Sequence, residues 1–337
     1  MRIAVLGGGP SGEHEVSLAS AASVREGLEA AGHTVLAVEI TRDGQWLHDA
    51  IELQLTPAGG LLDCDVVFPA LHGPYGEDGV VQGVLEALAV PYVGSGVASS
   101  ALCIDKVLSK QLLSTAGIPQ VAHLALARAS FDLDRAAALA ALARLGSPVF
   151  VKPARMGSSV GISKVGEGGL ELLGALESAF EHDDLVIIEA SAPGIEVECS
   201  VLGERPPRAS QPGEIVLHSD FYDYAAKYEP GGMELVVPAR LAPGALAAVR
   251  RLAVSVFKLC GCADLARVDF FVDGDEVLVN ELNTMPGFTP TSVYAKLWEA
   301  EGIPYPELVD RLCRLALARN EHRRAGAAAS GARPATG

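Results

Sequence analysis

The opening of the chain admits few folds. Ile3-Ala-Val-Leu6 is a short apolar run that stops at Gly7-Gly-Gly9. A helical pattern follows, with Val16, Ala19, Ala22, Val24 and Leu28 expected on its core side and Gly32 as its stop. Thr34 to Ile40 reads as a second strand and Asp65 to Ala70 as a third. Strand, helix and strand in this order make a βαβ unit, whose crossover lays the two strands parallel. A parallel sheet is covered on both faces, so the class is α/β.

Composition narrows the functional classes. A length of 337 residues suggests two or three domains, and 49% hydrophobic with 20% charged residues supports a packed core. The formal net charge of −16 repels phosphate backbones and anionic lipid, so neither nucleic acid nor membrane is expected as a partner. A single nucleotide held by local cations and a metal remains compatible with it. No apolar run approaches the ~18 residues of a spanning helix, and the opening is too short for a signal-peptide core. A cytoplasmic chain is expected. The cysteines are scattered, and Cys260-Gly-Cys262 lacks C-x-x-C spacing, which reads as reduced thiols.

Further along, Gly79 to Leu88 and Ser99 to Ala116 read as helices, Ala136 to Leu145 as an Ala/Leu helix, and Pro148 to Lys152 as a strand. Residues 203 to 215 form a Pro-rich loop. Ala266 to Val272 and Glu276 to Leu282 flank Asp273-Gly274, a hairpin signal. Tyr305 to Arg319 reads as a terminal helix, and from Asn320 the Ala, Gly, Arg and Pro composition predicts a disordered tail.

Several segments carry chemistry. Gly7-Gly-Gly-Pro-Ser-Gly12 fits G-x-G-x-x-G after a strand, with Glu39 closing the second strand, and so allows an NAD-dependent oxidoreductase. Glu13 and Glu15 at the helix start argue against a pyrophosphate there. A tight turn with capping acids, or an ammonium held by Glu13, fits equally. Phe150-Val-Lys152 ends a strand before Gly157-Ser158-Ser159-Val-Gly161, whose amides, hydroxyls and ammonium suit a triphosphate without being a P-loop. In the hairpin, Arg267 shares a face with Asp269, as Glu281 does with Asn283, among apolar neighbours. Such buried charges either pair with each other or hold a cation. Two carboxylates and an amide oxygen suit Mg2+. Phe221 to Tyr228, with three tyrosines and Lys227, reads as a mobile lid or a strand edge. His72 lies in a turn-rich loop at the C-terminal end of the third strand, where α/β sites gather.

Taken together, the chain resembles the D-alanine–D-alanine ligases, ATP-grasp enzymes of bacterial cell-wall precursor synthesis. The matching runs are Gly8-Gly-Pro-Ser-Gly-Glu13-His-Glu-Val-Ser17, Leu71-His-Gly-Pro-Tyr-Gly-Glu-Asp-Gly79, Val151-Lys-Pro to Gly161, Phe221 to Tyr228, Ala266-Arg-Val-Asp-Phe-Phe271, and Asn280-Glu-Leu-Asn-Thr-Met-Pro-Gly-Phe-Thr-Pro290. They are collinear with the family. The resemblance implies a parallel α/β domain over 1–100, followed by a two-lobed ATP-grasp fold over 101–190 and 191–319, with 320–337 as the tail. It implies an acyl phosphate of one D-alanine attacked by the amine of a second. By the same match, Asp269, Glu281 and Asn283 hold Mg2+ or Mn2+. Lys106, Lys152 and Lys227 contact ATP phosphates, Ser158 closes over them, and Glu189 and Glu196 belong to the nucleotide site. Glu13 anchors the first substrate's ammonium beside His72, while Arg267 and the Gly287 amide stabilise the oxyanion. Ser292 lies near the second substrate's carboxylate, and Tyr228 closes the lid. A homodimer is implied as well.

One departure stands out: Ala190 and Ala192 occupy positions where the family usually carries a charged and a bulky aliphatic residue beside adenine. The rivals are a D-alanine–D-lactate ligase, against which the Tyr228 surroundings argue, another ATP-grasp carboxylate–amine ligase, and the oxidoreductase.

Overall fold

The computed structural model describes residues 1–157, 160–166, 169–217 and 232–329. Three sheets organise them. The first contains β1 (Arg2–Gly8), β2 (Thr34–Ile40), β3 (Trp46–His48), β4 (Ile51–Glu52) and β5 (Val66–Pro69) in the order β4-β3-β2-β1-β5. Ile3 lies opposite both Val35 and Val66 in parallel pairs, as the crossover rule requires. Beside it run α1 (His14–Ala30), α2 (Val80–Ala87) and α3 (Val97–Ile104). The outer strands β3 and β4 pair antiparallel, a short hairpin the sequence did not announce.

The second unit begins with α4 (Lys106–Thr115) and continues through β6 (His123–Ala127), α5 (Arg128–Leu133), α6 (Arg135–Leu142), β7 (Val149–Pro153), β8 (Ser163–Val165), α7 (Gly169–Phe180) and β9 (Leu185–Ala190). Its sheet, β6-β9-β7-β8, is antiparallel throughout. The third sheet runs β13-β12-β10-β14-β15, with β11 on the side of β10. Its elements are β10 (Ile195–Leu202), β11 (Arg208–Ala209), β12 (Gly213–Leu217), β13 (Met233–Val236), α8 (Pro243–Leu259), β14 (Leu265–Asp273) and β15 (Glu276–Asn283). Val268, Phe270 and Val272 on β14 are buried with Val249, Ala253 and Phe257 of α8, leaving Arg267 and Asp269 to the other face. The chain ends in α9 (Val293–Ala300) and α10 (Tyr305–Ala329).

Three expectations change. Helix α1 buries His14, Ser17, Ser20, Val24, Gly27 and Leu28, not Ala19 and Ala22, which are exposed. Its inward serines are satisfied by hydrogen bonds, and small residues let neighbours approach. A Cβ on Gly27 would lie 2.8 Å from Tyr305 of α10. The predicted helix over Ser99–Ala116 is broken at Asp105, which has extended backbone and whose carboxylate accepts from the amides of Val107 (3.0 Å) and Leu108 (2.9 Å), capping α4.

The third change concerns the tail. Helix α10 passes Arg319 and continues to Ala329, because Ala and Arg are strong helix formers and the composition signal hides this. The helix returns to the first unit: Leu308, Val309, Leu312 and Cys313 share a core with Ile3, Val5, Val24 and Leu28. Arg319 donates to the carbonyls of Tyr92 (2.6 Å) and Gly94 (2.7 Å) and pairs with buried Asp264 at 3.0 Å. Arg323 pairs with Glu86 on the exposed surface, where the contribution is small.

Removing the Arg319 side chain would strand a buried carboxylate and two carbonyls. Arg319→Ala is expected to cost about 3 kcal/mol of stability, read as a lower urea midpoint at unchanged slope. A shift within error of wild type would contradict the role given to this pair.

Candidate active site

The three sheets face one cleft of about 640 Å3. Glu13 and His72 reach it from the first unit, Lys106, Lys152 and Glu189 from the second, and Arg267, Glu281 and Asn283 from the third. Glu196, Gly287 and Ser292 also line it. Asp269 is 3% exposed and stands behind Arg267. Ser158, Lys227 and Tyr228, with the rest of the expected lid, lie outside the described residues.

The acidic wall is a product of strand register. Asp269 is directly opposite Glu281, and Arg267 opposite Asn283, with a bulge between Asp269 and Phe270. The Arg267 guanidinium grips both Asp269 oxygens at 2.7 Å and reaches Glu198 at 2.9 Å, while the Asn283 amide donates to Asp269 at 3.0 Å. The two readings of these charges, mutual pairing or a cation, therefore begin from pairing. Among the described residues no group of three or more His, Cys, Asp and Glu side chains converges as a metal site. The donor set still fits a hard divalent cation, which takes oxygen from few protein groups and keeps positions for water and phosphate. Turning the Asn283 amide presents its oxygen instead of its nitrogen.

The lysine wall is denser than the sequence suggested. Glu189 accepts Lys152 at 2.5 Å on one oxygen and Lys110 at 2.9 Å on the other, and all three side chains are largely buried. Burial opposes the Glu189 charge, but the two ammoniums outweigh it and hold the carboxyl far below its usual range. For Lys152 burial also works against charge, yet Glu189 and then Glu281 keep its pKa above the usual lysine value. Lys106 donates to the Met156 carbonyl at 2.7 Å and lies 3.9 Å from Glu281.

Opposite stands Glu13, 5% exposed at the start of α1. Its carboxylate fits against two glycines: a Cβ would come within 2.2 Å of it at Gly73 and 2.7 Å at Gly157. Gly73 also has φ +73, a backbone conformation that favours glycine. Desolvation, and then the Glu13 charge, push Glu77 up to about 8, and Glu77 accepts from the Gly73 amide at 2.8 Å. The first glycine loop is a tight turn: Gly8 has φ +86, and a Cβ there would sit 2.3 Å from the Ile40 carbonyl. The His14 ring fills the loop by bonding the Gly9 carbonyl at 2.7 Å.

His72 organises the far loop. Its Nδ1 faces the Met285 carbonyl at 3.1 Å and so carries the proton, leaving Nε2 to accept from Ser20 Oγ at 2.8 Å. Ser20 Oγ accepts from the Phe288 amide at 3.3 Å, so the segment around Gly287 is tied to α1 through one ring. Ser292 bonds Thr289 through Oγ at 3.0 Å to its amide and 2.8 Å to its hydroxyl, closing the same loop.

Sequence reading missed Lys110, Glu77 and Glu198. Lys110 shares a buried stripe with Val107 and Leu113, and a lysine on an apolar stripe was the available signal. Glu198 alternates with Glu196 on β10 and lies opposite Asp269. Glu77 left no comparable mark, because its position depends on how its loop folds.

Comparison with known proteins gives matches over nearly the whole chain. The D-ala D-ala ligase N-terminus family matches residues 2–60 and 52–95, and the D-ala D-ala ligase C-terminus family matches residues 112–314. The chain is 48% identical over 334 residues to a D-alanine–D-alanine ligase from Deinococcus radiodurans, covering 94% of this chain and 98% of that protein. It is 41% identical to one from Geobacillus kaustophilus, covering 96% of each. Among solved structures it is similar to the D-alanine-D-alanine ligase from Coxiella burnetii, with TM-score 0.86, 35% identity and 96% of each chain covered. It is also similar to the VanG D-Ala:D-Ser ligase from Enterococcus faecalis, with TM-score 0.83, 37% identity, and 94% of this chain and 99% of that one covered.

The His72 network carries a pH dependence. Burial lowers its pKa from 6.5 to about 4. Between those values the unfolded chain binds the proton and the folded chain does not, so stability falls as pH is lowered through this window. Urea unfolding of wild type should lose roughly 2–3 kcal/mol between pH 7 and 4.5 through this group, and His72→Gln should flatten that slope. Equal slopes in both proteins would remove His72 as its source.

Proposed function

The chain belongs to the D-alanine–D-alanine ligase family, and from that premise we propose how its residues divide the work. The enzyme joins two D-alanines at the expense of ATP through a D-alanyl phosphate, supplying a peptidoglycan precursor. A carboxylate is a poor acyl donor. Transfer of the γ-phosphoryl group to the first D-alanine gives it a leaving group, and the amine of the second D-alanine then attacks the carbonyl and expels phosphate.

The observation that carries the assignment is the single cleft in which the Glu281–Asn283 segment faces Lys106 and Lys152 while Glu13 stands across from them. Phosphoryl transfer depends on positioning and charge neutralisation, which lysines and paired carboxylates supply. Lys106, Lys152 and the lid residue Lys227 hold the phosphates, with Ser158 closing over them, and Glu189 and Glu196 complete the nucleotide half. Asp269, Glu281 and Asn283 would hold Mg2+, with Mn2+ as a substitute, and the ion when bound would neutralise phosphate oxygens. Arg267, with the Gly287 amide, donates to the oxygen that becomes negative during attack. Glu13 binds the ammonium of the first D-alanine beside His72. Ser292 orients the carboxylate of the second, and Tyr228 closes the lid. Residues 1–100 thus present the amino acid, while 101–190 and 191–319 grasp the nucleotide. A cytoplasmic homodimer follows from the family reading.

No helix among the described residues is long and apolar enough to cross a membrane. The dinucleotide alternative is set aside by the family and by the filled glycine turn.

Two experiments test this assignment. Glu281→Ala should lower turnover at least about a hundredfold with an unchanged thermal midpoint. Near-normal activity in the folded variant would refute the metal assignment. Incubating the enzyme with Mg-ATP, D-alanine, and equimolar D-lactate and D-serine should give D-alanyl-D-alanine as the main product by mass analysis, with stoichiometric ADP and phosphate. A predominant ester or D-alanyl-D-serine would overturn the role given to Tyr228 and its surroundings.

A further inference from the structure

Lys110 lies one helical turn after Lys106 and is 2% exposed. An ammonium buried this deeply persists only when its charge is paired and its protons are used. Its partners belong to two different lobes: Glu189 Oε1 on β9 at 2.9 Å, and the Asn280 carbonyl on β15 at 3.0 Å. Asn280 directly precedes Glu281, and Glu189 holds Lys152 with its other oxygen. The seam is stitched again nearby, where the Val279 amide donates to the Pro119 carbonyl at 2.9 Å and Lys106 approaches Glu281. One ammonium therefore spans the two strands that carry Lys152's partner and Glu281.

Charge counting adds a second argument. Lys110, Lys152 and Glu189 form a trio with one positive charge left over, whereas Lys152 with Glu189 alone would be neutral. A neutral pair in a low-dielectric wall attracts phosphate far less than a charged trio.

We propose that Lys110 is a positioning residue for the nucleotide half of the reaction, sharing Glu189 so that Lys152 stays available to phosphate and clamping β15 so that Glu281 stays in line. The proposal rests on the assignment of Lys152 to ATP phosphates.

The test uses the full-length enzyme. Lys110→Met is expected to raise the KM for ATP tenfold or more while the KM for the first D-alanine stays within twofold. A lower thermal midpoint with unchanged ATP KM would show a merely structural lysine and overturn the proposal. Should that variant not fold, Lys110→Gln, which keeps two hydrogen-bond donors without the charge, carries the same expectation and the same refutation. A double-mutant cycle gives the mechanism: Lys110→Met with Lys152→Gln should lose less for ATP than the two single losses combined, because both act through Glu189, and fully additive losses would overturn it. A Lys152→Gln enzyme with wild-type ATP KM would sink the underlying phosphate assignment and this proposal with it. A raised KM there beside an unchanged Lys110→Met would sink this proposal alone.

Discussion

The rest of the site depends on one pairing, that of β14 with β15. Placing Asp269 opposite Glu281 in an apolar sheet puts two like charges on neighbouring strands, an arrangement that is costly unless cations intervene. Arg267 answers from the same strand and Asn283 from the facing one. A slip of β15 by one residue would turn Glu281 and Asn283 toward α8 and the core, away from Arg267 and Asp269, because side chains alternate faces with period two. The Asp273-Gly274 turn and the large apolar side chains of the other face, Val268 and Phe270 among them, hold the register.

Around that wall, the three sheets are joined by buried polar contacts as well as by apolar packing. Lys110 links β9 to β15, His72 links α1 to the Met285–Phe288 loop, and Arg319 ties α10 to the end of the first sheet. Each makes several directed bonds in a low-dielectric setting, so each fixes orientation as well as distance. Such preorganisation serves a reaction whose barrier is lowered mainly by groups already aimed at developing charge. The carboxylate of Glu13 packs closely against Gly73 and Gly157.

Much of this was legible in the chain. The first βαβ unit was readable because hydrophobic periodicity and a glycine stop are local properties, and β1, α1 and β2 follow them. The Arg267, Asp269, Glu281 and Asn283 set was visible because charged residues alternating with Val and Phe on strands are conspicuous. Other features were hidden for physical reasons. The inner face of α1 carries Ser17 and Ser20 beside Val24 and Leu28, so the apolar stripe found only part of it. Ser17 accepts from the His72 amide and Ser20 donates to the His72 ring, which explains why those hydroxyls are buried. The Asp105 break was masked by helix formers on both sides. The last turns of α10 looked disordered by composition, although Ala and Arg favour helix once a docked segment nucleates it.

The sequence by itself determined the α/β class, the family and the chemical inventory: which carboxylates, lysines and glycines are available and in what order. These are matters of local pattern, where period, turn chemistry and residue type act over a few positions. Only the tertiary structure decided which of those groups share a dielectric environment. It brought Lys110 onto Glu189 from 79 positions away and Met285 onto His72 across 213. It also made one carboxyl strongly acidic and another, Glu77, weakly so. Charge interactions act through space and burial, and neither quantity is written along the chain.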